Sequence, residues 1–130
     1  MPRRQHDWLR QGEKDLQHAK NSLSSGDYEW ACFAAQQACE KALKALYYSI
    51  GGEGWGHSLT KLLKELPENL KVDEITIKSA MNLDKHYIPA RYPNGFDTGA
   101  PMDYYSREDA EESIRNAEII FKFVKINISE

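Results

Sequence analysis

The chain has 130 residues and a formal net charge of −3, with 41% hydrophobic and 28% charged residues. This length suits one domain that buries a core of its own, so we predict a single domain over residues 1–130. The negative charge argues against a protein that binds nucleic acid through a strong overall field, although it leaves room for a local basic patch.

Neither a membrane protein nor a secreted one is indicated. No run of 18 apolar residues occurs, and the first ten residues lack the apolar core of a signal peptide. Cys32 and Cys39 are seven residues apart, which on a helix places their Cα atoms about 10 Å apart, too far for a disulfide. We therefore expect two free thiols and a cytoplasmic protein.

The first predicted helix covers residues 7–24, where apolar side chains recur at intervals of three and four. Asp7 is a candidate N-cap, and Asp27 can cap the next helix after the break at Ser24-Ser25-Gly26. So short a connection predicts that the first two helices are antiparallel neighbours. Because glycine inside a helix costs about 1 kcal/mol relative to alanine, we expect Gly12 to allow a close crossing.

The second predicted helix, residues 27–50, has two contrasting faces. One is a stripe of mostly alanine that predicts tight packing in the core. The other could be a solvated surface with Glu40 and Lys44 paired one turn apart, or its aromatic residues could be buried by a neighbouring helix, a second subunit or a ligand. This second face comprises Trp30, Phe33, Gln36, Gln37, Glu40, Lys41, Lys44 and Tyr47.

A glycine-rich loop follows at 51–56 and carries Trp55, which could cover one end of the bundle or stack on a base. Ser58 is then a candidate N-cap for a short helix over 59–66. His57 precedes it, beside backbone N–H groups that favour anions, so it could help to hold a phosphate or could simply pack against the helix end.

A fourth helix is predicted over 73–87, beginning at Asp73, and a loop over 89–105 whose many aromatic residues favour an ordered strap over disorder. Within that loop, Arg91 lies between two prolines that stiffen its backbone, which suits a phosphate or a carboxylate. The last helix begins at Ser106, with Asp109 completing a capping box. The predicted fold is therefore all-α: a mostly up-and-down bundle of four long helices and one short one, with a long ordered loop before the last helix.

Three stretches together resemble the HEPN domains, small helical bundles of prokaryotic toxin–antitoxin and nucleotide-handling systems. They are FAAQQACEKALKAL at 33–46, GHSLTKLL at 56–63 and HYIPARYP at 86–93. The resemblance extends from about Asp7 to Val124. It implies a homodimer that often works beside a minimal nucleotidyltransferase of the MNT type.

The ribonuclease branch of that family carries an arginine followed, after four to six residues, by a histidine. No arginine here has that spacing, and no histidine follows Arg91. The resemblance therefore implies a binding role more than a ribonuclease. No metal-binding spacing, phosphate-binding glycine loop or serine-nucleophile elbow occurs either, so we expect no cofactor and no metal.

We therefore predict a module that binds a nucleotide or single-stranded RNA. Lys44 and Arg91 would hold phosphates, Gln36 or Gln37 would hydrogen-bond to a base, and an aromatic ring would stack on it. The predicted site residues are Gln36, Gln37, Glu40, Lys41, Lys44, Tyr47, His57, Arg91 and Tyr92.

Three alternatives remain open at this stage. Glu40 could pair with Lys44 or Arg91 and merely tie the loop to the bundle. The aromatic side could be a subunit interface of a dimeric interaction protein that partners an MNT-type nucleotidyltransferase. A degenerate ribonuclease could use His57 or His86 together with Arg91.

Overall fold

A computed structural model describes residues 4–129 of the chain, and no strand occurs among them. The predicted all-α bundle of four long helices is confirmed. The long helices are α1 (Arg4–Ser24), α2 (Tyr28–Ser49), α4 (Glu74–Asp84) and α6 (Arg107–Asn127), and the short ones are α3 (Leu59–Lys64) and α5 (Pro101–Tyr104). None of the helices within residues 4–129 is both long and apolar enough to cross a membrane.

The first two helices pack along each other's length after a turn at Gly26. A Cβ atom on Gly12 would lie 3.0 Å from the carbonyl oxygen of Ala38 and 3.4 Å from the backbone nitrogen of Ala42. The predicted close crossing at Gly12 is therefore confirmed, and its cause is the absence of a side chain where two backbones approach.

The alanine stripe of α2 lies at the centre of the core, with Ala35, Ala38 and Ala42 fully buried. Helices α3, α4 and α6 cover it with larger side chains, among them Leu62, Leu83 and Ile120. Because the residues on α2 are small and those around them are large, several helices can pack closely on α2 without leaving voids. Both cysteines are buried and free, as predicted.

Three of the five predicted caps are present. Asp7 lies inside α1, where it pairs with Arg4 at 3.1 Å and Arg10 at 3.4 Å. Asp27 precedes α2, but its side chain makes no capping hydrogen bond. Helices α3, α4 and α6 do begin with side chains that accept a backbone N–H, namely those of Ser58, Asp73 and Ser106.

The segment between α4 and α6 differs in detail from the prediction. Helix α4 ends at Asp84 and not near Tyr87, and the loop contains the four-residue helix α5. The end of the loop is fastened to the turn just after α4 by a 2.8 Å hydrogen bond between the Tyr105 hydroxyl and His86 Nδ1. The loop is therefore a strap that returns to the bundle, and it brings Arg91 against α2.

Candidate ligand-binding site

Gln36 is fully buried beneath the polar face of α2. Its Nε2 donates to the carbonyl oxygen of His57 at 2.8 Å and to Asp84 Oδ1 at 3.4 Å, while its Oε1 accepts from Gln37 Nε2 at 2.8 Å. Every donor and acceptor of this amide has a partner within the protein. Gln36 therefore positions its neighbours and does not present its amide to a ligand.

Asp84 fills the position at which an anion could have bound near His57. Its carboxylate accepts hydrogen bonds from the backbone nitrogens of Leu59 at 2.9 Å and Thr60 at 3.0 Å, at the N-terminus of α3. The hydroxyl groups of Ser58 and Thr60 donate to the same carboxylate. At this helix end the protein therefore supplies an anion of its own, the carboxylate of Asp84.

Glu40 is also buried, at 7% exposure, and links two of the predicted residues. Its carboxylate lies 3.0 Å from Lys44 Nζ and 3.0 Å from His57 Nδ1. Of the two pairings considered for Glu40, that with Lys44 is present and that with Arg91 is not. The positive charge of Lys44 is therefore compensated locally, which weakens its case as a phosphate ligand.

His57 keeps a 59% exposed side chain although two contacts fix its ring. Besides the contact with Glu40, the imidazole stacks on Tyr87 at 5.0 Å between centroids and 19° between planes. A ring that is mostly exposed but held on two sides has a defined orientation toward solvent.

Arg91 is held by aromatic rings. Its Nε donates to the carbonyl oxygen of Tyr87 at 2.8 Å. The guanidinium carbon lies 4.4 Å from the ring centre of Phe33, 4.7 Å from that of Tyr87 and 5.1 Å from that of Tyr92. Rings at these distances attract a cation and restrict its motion.

No carboxylate among residues 4–129 forms an ion pair with Arg91. A guanidinium carries five N–H donors, and within the same residues only its Nε–H has a hydrogen-bond acceptor. The strap thus presents a fixed positive charge, with donors to spare, at a partly exposed position.

Lys41 and Tyr47 make structural contacts elsewhere. Lys41 Nζ pairs with Asp15 Oδ2 at 2.7 Å. The hydroxyl of Tyr47 donates to the carbonyl oxygen of Leu62 at 2.6 Å, and burial raises the pKa of this phenol above its usual value. Because Phe33 and Tyr47 are 14 residues apart on α2, their Cα atoms lie about 21 Å apart along the axis. Tyr47 and Arg91 therefore do not share one site.

A surface pocket of about 260 Å³ opens between α1 and α2 next to Arg91. Trp30 and Phe33 meet edge to face in its wall, with centroids 6.1 Å apart and planes at 76°. Phe33 thus lines the pocket and also contacts the Arg91 guanidinium. The lining residues are Asp15, His18, Trp30, Phe33, Ala34, Gln37 and Lys41.

Several of these residues were absent from the predicted set. Asp15 and His18 lie three apart on α1 and face α2, a relationship that the predicted antiparallel pairing could have suggested. Tyr87, which touches both His57 and Arg91, gave no signal beyond lying before the loop. Trp55 is 78% exposed and covers no end of the bundle. Within residues 4–129 no three His, Cys, Asp or Glu side chains are grouped so as to hold a metal ion.

Comparison with known proteins places this geometry in context. The family model of the HEPN domain matches residues 5–127. A curated relative from Methanocaldococcus jannaschii, named "Putative toxin MJ1304", is 26% identical over 132 residues, which cover 95% of this chain and 87% of that protein.

Three crystal structures are similar over nearly the full chain. TT1696 from Thermus thermophilus is 46% identical with a TM-score of 0.95, covering 98% of this chain and all of that one. ST0689, described as an archaeal HEPN homologue, is 42% identical with a TM-score of 0.81, covering 99% and 100%. A HEPN domain protein from Thermotoga maritima is 36% identical with a TM-score of 0.76, covering 93% and 96%.

Proposed function

The chain belongs to the HEPN domain family, and from this premise we propose that it binds a nucleotide or a short single-stranded RNA, whose phosphate is held by Arg91. The observation that carries the proposal is the Arg91 guanidinium, fixed on three aromatic rings without a carboxylate partner among residues 4–129. Tyr92, which is about half exposed beside it, supplies a ring on which a base can stack.

The chemistry of arginine favours a phosphate over other anions here. Its planar fork of donors matches two phosphate oxygens at once, and a guanidinium gives up its water more readily than an ammonium group because it is more weakly hydrated. Because the overall charge of the chain is negative, attraction at long range contributes little, and affinity must come from this direct contact. Such a site suits a small ligand or a few nucleotides better than a long duplex.

The proposal describes binding without cleavage. The arginine–histidine spacing typical of ribonucleases in this family is absent from the sequence. His57 is fixed in orientation by Glu40 and by stacking on Tyr87, and no arginine lies at the required spacing before it. We therefore expect bound RNA to remain intact.

The test is a binding measurement on three proteins: wild type, Arg91→Ala and Arg10→Ala. Arg10 is a matched control, because it is exposed and lies near the opposite end of α2. Titration calorimetry with nucleoside monophosphates and short single-stranded RNA, well below each melting midpoint, separates binding from stability. A ligand present at 100 times its Kd adds about 2.7 kcal/mol to the free energy of unfolding. For a chain of this length, that raises the melting midpoint by on the order of ten degrees.

We expect wild type and Arg10→Ala to bind these ligands with the same affinity. Arg91→Ala should remain folded but show no measurable binding. Equal affinity of wild type and Arg91→Ala would refute the proposed site. Cleavage products in an RNA incubation that vanish in Arg91→Ala would favour the degenerate ribonuclease instead.

A second candidate function is supported by exposed apolar side chains on α2 and on the strap, and by the toxin name of one relative. The residues are Trp30, Ile88, Tyr92, Met102 and Tyr104. They could meet a second copy of the chain or an MNT-type nucleotidyltransferase. Light scattering distinguishes these roles: a particle of twice the 14.9 kDa chain mass that Ile88→Asp dissociates favours the interface, whereas a monomer at all concentrations argues against a homodimer.

A further inference from the structure

The pocket between α1 and α2 has an aromatic wall that suits a flat ring. Trp30 is 48% exposed although it contacts Phe33, so much of its indole surface is available to a ligand. A base that stacks on such a side chain gains affinity whatever its sequence identity, because each base has a π-face. The wall therefore favours a nucleobase without choosing among the bases.

Gln37, which follows Trp30 and Phe33 along α2, also lines the pocket and offers it a polar atom of defined chemistry. Gln36 must direct its Nε2 toward the His57 carbonyl and the Asp84 carboxylate, since both only accept hydrogen bonds. Its Oε1 therefore faces Gln37, which must donate through Nε2, also toward Glu40 at 3.3 Å. By elimination, the atom that Gln37 has left for a ligand is Oε1, an acceptor.

The two formally charged side chains that line the pocket compensate each other. Lys41 and Asp15 pair at 2.7 Å, and Asp15 also accepts from Gln11 at 2.9 Å. A phosphate would find no uncompensated lysine there, whereas a neutral ring meets no net charge. The charge distribution thus directs the phosphate to Arg91 and leaves the pocket to the uncharged part of the ligand.

The two parts of the site are close enough for one nucleotide. The Arg91 guanidinium carbon lies 4.4 Å and the Trp30 centroid 6.1 Å from the same Phe33 ring, so at most 10.5 Å separates guanidinium and indole. We infer that the pocket binds the base of the nucleotide and selects a base with an exocyclic amino group, whose N–H donates to Gln37 Oε1. This inference rests on the proposed function and adds the class of base.

The experiment compares three ligands that differ by one part each. Adenosine 5′-monophosphate has the amino group, purine riboside 5′-monophosphate lacks only that group, and ribose 5-phosphate lacks the base. Each is titrated into wild type, Trp30→Ala and Trp55→Ala; Trp55 is a matched control because it is exposed and lies outside the pocket. The indole N–H signal of Trp30 in a ¹⁵N-correlated NMR spectrum reports on the pocket directly.

Adenosine monophosphate should bind about 2- to 12-fold tighter than its analogue without the amino group, the worth of one hydrogen bond. Trp30→Ala should weaken it about 5- to 150-fold, the range for one stacked base, and leave ribose 5-phosphate unchanged. Trp55→Ala should bind as wild type does. The Trp30 signal should move with the two purine ligands only.

Two other outcomes would overturn the inference, and they are distinguishable. If all three ligands bind equally and lose affinity only when Arg91 is replaced, the base lies outside the pocket and the phosphate site stands. If the wild type binds none of them and no single-stranded RNA, the proposed function fails together with the base pocket.

Discussion

The Asp84 carboxylate lies at the N-terminus of α3 and accepts hydrogen bonds from Thr60, at 3.0 Å from its backbone nitrogen and 2.8 Å from its hydroxyl. Asp84 is the last residue of α4, so the end of one helix caps the beginning of another. The same carboxylate accepts a hydrogen bond from the buried amide of Gln36. Three elements thus meet at one side chain.

Replacement of Asp84 by alanine should therefore destabilise the protein more than loss of an ordinary cap. A cap costs about 1 kcal/mol and a hydrogen bond to a charged group about 1.5–3 kcal/mol, so we expect a loss of about 3 kcal/mol in urea unfolding. Asp73→Ala is the control, because Asp73 accepts only from Thr76 in its own helix, and it should cost about 1 kcal/mol. Equal losses in the two variants would show that the junction adds nothing.

Gly12→Ala should destabilise the chain although alanine is the better helix former by about 1 kcal/mol. The added Cβ would stand 3.0 Å from the backbone oxygen of Ala38, which has no flexible end to move aside. We expect a net loss of about 1–3 kcal/mol, the usual cost of overpacking. Lys14→Ala, at an exposed position of the same helix, should change stability by less than about 0.5 kcal/mol. A more stable Gly12→Ala would contradict the tight crossing.

Stability should fall in mild acid because of His86. Burial lowers the pKa of this histidine below its usual 6.5, helped by Lys85 and opposed by Asp109 and Glu112. Between the lowered pKa of His86 in the folded state and 6.5, the unfolded state binds more protons than the folded state. The contribution of neutral His86 to the free energy of unfolding is therefore complete above pH 6.5 and is lost as the pH falls through the folded pKa. Urea midpoints at about pH 7.5 and pH 5.5 should therefore differ more for wild type than for His86→Gln, and identical differences would refute this role.

The two thiols should be unreactive in the folded protein. Burial raises the pKa of Cys32 to about 12, and complete burial raises that of Cys39 as well. Since the thiolate is the reactive form, a disulfide reagent at about pH 8 should label neither residue in buffer and both in guanidinium chloride. Prompt labelling of the native protein would show that the core opens readily.

Helix positions and local caps could be predicted from the sequence because their causes are local. Spacing of apolar residues located the four long helices, and Ser58 precedes the helix that it caps. The burial of Gln36 could not be predicted for the opposite reason: a glutamine on a helix face opposite an alanine stripe resembles a surface residue. Its partners belong to residues 21 and 48 positions further along the chain, and periodicity carries no information about them.

The same distinction between local features and contacts distant in the chain applies to the candidate site. Arg91 could be proposed from the sequence because two prolines flank it and its side chain suits an anion, both local properties. Its support by Phe33 joins a loop to a helix nearly sixty residues earlier in the chain. The pocket beside it further needs the register of α1 against α2, which is set by the contact at Gly12. Sequence patterns predicted that these helices are neighbours but not which residues face each other.

The buried amide of Gln36 also bears on synthesis of the protein. The two groups that accept from Gln36 Nε2, the carbonyl of His57 and the carboxylate of Asp84, are synthesised after α2. Until both are present, this end of the amide has to hydrogen-bond to water. Helices α1 and α2 can associate early through their alanine contact, but the polar side of α2 has to stay hydrated. Water can therefore leave that side of α2 only after the chain has been synthesised through α4. A chain truncated after Ile50 should remain loosely packed.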